Sequence, residues 1–192
     1  SPAAYADGPL SSSLEYQGVS GPTVEEERVT SLRKSQELRP MKVVLWDHTF
    51  ELPHKNLEAQ KQITDSVQVG SVSHKLRLGD AARLELYDWP GGYARRYNGV
   101  GPSREERPAD VQKVFQDNIR TASIRMQEEE AAAVELLGAS RYRQMTPGHG
   151  FTLKKHFNAD GAYVLTSVVH HARCSSDYRS GDFGGSHYEN TF

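Results

Sequence analysis

Apolar and polar positions alternate along most of this chain, and only one stretch carries a helical period. Residues 41–50, Met-Lys-Val-Val-Leu-Trp-Asp-His-Thr-Phe, place Val43 and Leu45 on one side and Val44 and Trp46 on the other. Apolar groups on both sides predict a strand covered on both faces. Pro40 and Pro53 bracket it and are poor members of a ladder. A short strand is predicted near 29–32, a turn of helix over 54–61, a weak alternating strand over 67–78 and another short strand over 84–87. The last of these runs into Asp-Trp-Pro-Gly-Gly-Tyr, which is turn chemistry. Further strands are predicted at 134–142, 151–157, 162–172 (the longest) and 188–192. Asn158-Ala159-Asp160-Gly161 reads as a hairpin loop between two of them, with residues suited to positive φ.

The helical period begins after a polar, glycine-bearing loop over 94–107. Val111, Phe115, Ile119, Ala122 and Met126 follow one another at spacings of three or four. They form one apolar stripe on a helix of about 20 residues, with Pro108 as its first position and Asp110 in its first turn. The fold class is therefore read as α+β: a mainly antiparallel β-sheet or barrel with one long inserted α-helix. Residues 1–28, rich in Ser, Gly, Pro and acid, read as an extended or flexible lead-in. Residues 29–192 read as one domain, with an α/β insertion at about 54–130.

Composition narrows the function classes. The chain has 192 residues and a net charge of −2, from 23 basic and 25 acidic side chains. No basic excess points to nucleic acid or an anionic membrane. No apolar run is long enough to span a bilayer. One cysteine, Cys174, excludes an intramolecular disulfide. The chain opens Ser1-Pro2, and its first methionine is Met41; it is expected to be processed or part of something longer.

No convergent catalytic set is legible. His170 and His171 are adjacent on a predicted strand and point to opposite faces, so they are poorly placed to grip one metal. Cys174, Asp177 and His187 lie nearby without the tight pair spacing that zinc sites favour. No Gly-x-Ser-x-Gly occurs. Glu128, Glu129 and Glu130 fan out around a helix instead of converging. No catalytic residue, cofactor or metal ligand is expected. The aromatics, Trp46, Tyr87, Trp89 and Tyr93 among them, suit packing and assembly contacts or the lining of a ligand groove.

Several segments, read in order, resemble the VgrG family and its phage relatives, the late-control-D tail hub proteins. The strand ending in Asp47, Phe50 and Pro53 is similar to the family's Asp-x-x-Phe-x-x-Pro stretch. Tyr87, Asp88, Trp89, Pro90, Gly91 and Tyr93 resemble its Tyr-Asp-aromatic-Pro-Gly-x-Tyr motif. After the helix come Gly138-Ala139-Ser140, then Pro147, Gly148, Phe151 and Leu153, then Tyr163, Thr166, Ser167, Val168 and His170. Tyr188 to Phe192 resemble the closing strand. The resemblance covers about residues 29–192 and corresponds to the second half of the hub.

That resemblance implies a structural, non-enzymatic part of a contractile injection spike, as in type VI secretion. Such hubs are homotrimers built of β-barrel modules. Two similar barrels per subunit present pseudo-sixfold symmetry to the hexameric Hcp tube ring, and effectors can travel with the spike. The motif residues carry over as structural positions. Assembly in the bacterial cytoplasm, followed by delivery to the extracellular space or a target cell, is the implied location. A β-barrel binding module and a cell-wall hydrolase domain are the competing readings.

Overall fold

The computed structural model describes residues 13–18, 27–80, 83–94, 113–173 and 187–192. Twelve strands and one helix lie within them: β1 (Ser13–Glu15), β2 (Val29–Gln36), β3 (Lys42–Leu45), β4 (Ala59–Gln62), β5 (Ser66–Val69), β6 (Val72–Lys75), β7 (Glu85–Asp88), α1 (Val114–Ala133), β8 (Val134–Ser140), β9 (Gly150–Lys154), β10 (Gly161–Val164), β11 (Val169–Arg173) and β12 (His187–Thr191). The α+β class with mostly antiparallel pairing and one helix is what these elements form. No closed barrel is detected among the described residues, and two pairings, β1–β9 and β3–β7, are parallel.

The chain divides into two compact units. The first comprises residues 1–35, 68–73 and 135–192; the second comprises 36–67 and 74–134. The second unit is built on the sheet β4-β3-β7. Val43, Val44 and Leu45 are all buried, as apolar groups on both sides of β3 require. Helix α1 packs on β3 and β4, and one core gathers Met41, Val43, Leu45, Leu57, Ile63, Tyr93, Val114, Ala122 and Met126.

The buried face of α1 is Val114, Asn118, Ala122, Met126 and Ala133. The expected stripe shares Ala122 and Met126 but is rotated by about one position, and Ile119 is 68% exposed. Val111, Pro108 and Asp110 lie outside the described residues. Two of the glutamates at the helix end make contacts across the unit. Glu129 pairs with Arg39 at 2.8 Å, and Glu130 accepts the Thr64 N–H at 2.7 Å.

The first unit holds the sheets β1-β9-β10 and β11-β12-β8-β2, and its core gathers Leu14, Val29, Tyr142, Met145, Phe151, Leu153, Ala159 and Leu165. Within the expected lead-in, Ser13–Glu15 run parallel to β9 with Leu14 completely buried. The long strand expected over 162–172 is two strands in different sheets, β10 and β11. Leu165 still bonds the β9 side, its N–H donating to the His149 carbonyl at 3.0 Å and its carbonyl accepting the Gly148 N–H at 2.8 Å, and β11 begins at Val169. The weak strand expected over 67–78 is the β5–β6 hairpin, with Gly70 at φ +62°. The helical turn expected over 54–61 is replaced by turns and then β4. In the loop joining β9 to β10, the residue at positive φ is Lys155, ahead of the Asn158–Gly161 stretch.

Candidate functional site

Two of the sequence motifs meet in the second unit. Strands β3 and β7 are parallel neighbours, with Leu45 opposite Asp88, so the segments that follow them leave the sheet side by side. The Trp46 N–H donates to the Asp88 carbonyl at 3.1 Å, and the Gly91 N–H donates to the Trp46 carbonyl at 2.9 Å. Asp47 is buried, and its carboxylate accepts the backbone N–H of His48 at 2.9 Å and of Ala94 at 3.0 Å. Tyr93 reaches back beneath, its hydroxyl donating to the carbonyls of Leu57 and Leu45.

Burial, reinforced by the Asp47 and Glu58 charges, pushes the Tyr93 phenol up to about 12, so it stays protonated and a donor. Gly91 is required by close packing: a Cβ there would lie 2.4 Å from the Tyr93 ring. The bond from Trp89 to Pro90 is cis. These contacts make a latch that ties the end of β3 to residues 88–94.

Other motif side chains in this unit face outward. Phe50 is 62% exposed, Tyr87 55% and Trp89 57%; Pro53 and Asp88 are exposed as well. The outer face of the sheet carries Lys42, Val44, Trp46, Glu85 and Tyr87. With the turn at 53–56 it encloses an open groove of about 530 Å³.

In the first unit the motif residues serve packing and pinning. Phe151 is buried, with its ring 5.7 Å from Tyr163 and 6.1 Å from Phe192. The Tyr163 hydroxyl donates to the Ala159 carbonyl at 2.5 Å, and burial beside Asp160 holds its phenol above the ordinary range. Pro147 and Gly148 form a turn, with Gly148 at φ +80°. His170 lies on the exposed strand β11, Nδ1 at 2.5 Å from the Tyr188 hydroxyl. Ser140 and Asn190, both fully buried, hydrogen-bond each other at 2.7 Å, and the Asn190 amide donates to the Tyr142 carbonyl at 2.6 Å. Ser140 belongs to the Gly138–Ser140 segment and Asn190 to the closing strand. Their contact was invisible in the sequence because 50 residues separate them.

His156 caps the loop beneath the β5–β6 tip. Its Nδ1 accepts the Asn158 N–H at 3.3 Å, which leaves no room for a proton there. Burial, then the nearby Lys34 ammonium, push the imidazole below its ordinary value of 6.5, against the opposing pull of Asp160. The neutral form is therefore the folded one. Its contribution to stability is complete above about pH 6.5 and is lost as pH falls through the lowered value. Denaturant midpoints measured from pH 7.5 downward are expected to drop across this window, and His156→Gln is expected to flatten that part of the curve; equal slopes in both proteins would refute this role.

Among the described residues no three His, Cys, Asp or Glu side chains gather as a metal site, and no helix is long and apolar enough to cross a membrane. Cys174 and Asp177 lie outside the described residues.

The latched loops and pinned strands define a β-rich structural building block. A family model described as phage tail baseplate hub (GPD) matches residues 1–176, and the chain belongs to that family. A structural tail-hub role within a multi-subunit tail follows from that membership. No curated protein matches the chain.

Proposed function

We propose that this chain is part of the hub of a VgrG-type contractile injection spike, capping an Hcp tube as a homotrimer and serving effector delivery in type VI secretion. The observation that carries the reading is the hub-family match over residues 1–176. The order of the VgrG-like motifs supports the VgrG branch. In this reading the first unit belongs to the hub's β module and the second is the α/β insertion. Asp47, Gly91 and Tyr93 act as structural positions that hold the insertion's sheet, and Phe151, Tyr163 and His170 brace the β module. Assembly takes place in the bacterial cytoplasm, before the apparatus carries the spike to the extracellular space or a target cell.

Open edges agree with assembly. All five residues of β11 are exposed, and among the described residues β11 is the outer strand of its sheet. An outer strand of this kind can take another chain or segment as its neighbour. Native mass spectrometry of the protein mixed with hexameric Hcp rings tests the reading. Three copies per ring are expected; a monomer that ignores the ring would sink it.

A further inference from the structure

The proposed function names no occupant for the groove on the outer face of β4-β3-β7. Its floor carries two aromatic side chains on one sheet face. Val44 pairs with Tyr87 across β3 and β7, so Trp46, two residues on, is a diagonal neighbour of Tyr87. Trp46 is 46% exposed and Tyr87 55%. Much of the remaining lining is polar: His48, His54, Lys55, Asn56 and Glu58. Asn56 spends its carbonyl oxygen on the Glu58 N–H at 3.0 Å, which leaves its amide hydrogens to donate.

Charge decides what class of ligand fits. Lys42 and Glu85 neutralise each other at 2.9 Å. Asp47 is committed to the His48 and Ala94 N–H groups. Those N–H groups are neutral donors, so Asp47 keeps its charge, and with Lys55 against Glu58 the lining carries a formal charge of −1. A site with a slight negative excess gives no advantage to a phosphate or a polyanion. It offers apolar ring faces beside both hydrogen-bond donors and acceptors. A ligand that matches has C–H faces, many hydroxyls and no negative charge.

We propose that this groove binds a neutral oligosaccharide, with pyranose rings seated on Trp46 and Tyr87 and hydroxyls bonded to Asn56, Glu58 and the two histidines. A volume of about 530 Å³ lies within the range of small-molecule sites. The reading concerns the second unit alone, so it stands or falls independently of hub assembly.

Titration of the protein with cellotetraose, maltotetraose and chitotetraose, followed by tryptophan fluorescence and by calorimetry, tests it. At least one is expected to bind and to shift the emission, because Trp46 is one of only two tryptophans. Trp46→Ala and Tyr87→Ala are each expected to weaken binding about tenfold, as loss of an aromatic platform does. Both are expected to keep the wild-type denaturation midpoint, since neither ring is buried. Trp89→Phe, outside the groove, is expected to bind as wild type. Absence of binding by all three sugars, undiminished binding in both alanine variants, or tighter binding of a polyanionic sugar such as heparin would overturn the proposal.

Discussion

Gly70→Ala is expected to destabilise the first unit by about 3 kcal/mol, while Gly148→Ala costs only about 1 kcal/mol. Both glycines sit at positive φ, +62° and +80°, so both alanines meet the same left-handed penalty. They differ in what surrounds them. A Cβ on Gly148 meets nothing within 4 Å, whereas one on Gly70 would lie 2.3 Å from the Asn158 carbonyl oxygen and 2.6 Å from the Ala159 Cα. Those are backbone atoms and cannot rotate aside. The tip also gives the Ser71 N–H to the Asn158 carbonyl at 3.2 Å, and Lys34 donates to Val69 and Asn158 at 3.4 and 3.2 Å. Pushing the tip away therefore strains several bonds together. Urea denaturation of the two variants measures the difference; equal losses would show that the close approach carries no energy.

What the sequence shows of this fold depends on how local the cause is. Strand β3 was legible from its apolar run, but cover on both faces fails at Trp46, which is 46% exposed on the open outer face. The helix was legible from its period, but its face was misjudged. Asn118 occupies a buried position that polarity argues against, while Ile119 is exposed. The break between β10 and β11 falls over residues 165–168, where no glycine or proline marks it. Gly70 was the missed signal for the β5–β6 hairpin, since a glycine within an alternating run often marks a turn. Ser13–Glu15 is too short to show a period, and only the parallel register with β9 makes it a strand. At the latch, the motif residues themselves could be named from the sequence. Their joining could not, because Asp47 and Ala94 are brought together by the parallel pairing of β3 and β7.

Asp47→Ala is expected to cost the second unit about 3 kcal/mol, because it strips a charged acceptor from two backbone N–H groups, one of them buried. Asp47→Asn keeps one acceptor oxygen and is expected to fall between alanine and wild type. Tyr93 gives a second readout of the same latch. Its phenol is held near 12, above the ordinary 10, first by burial and then by the Asp47 charge. A group whose folded value is raised contributes its full stability below the unfolded value and loses it as pH rises through the folded one. The wild-type protein is thus expected to weaken between about pH 10 and 12, and Tyr93→Phe to lack that part of the alkaline loss while being weaker at neutral pH. In Asp47→Ala the phenol is expected to titrate lower but still above 10, since burial is the larger cause. Phenolate absorbance followed through an alkaline titration checks this. An unchanged titration in Asp47→Ala would mean that the carboxylate and the phenol do not share one latch, and that the two motifs are held by separate contacts.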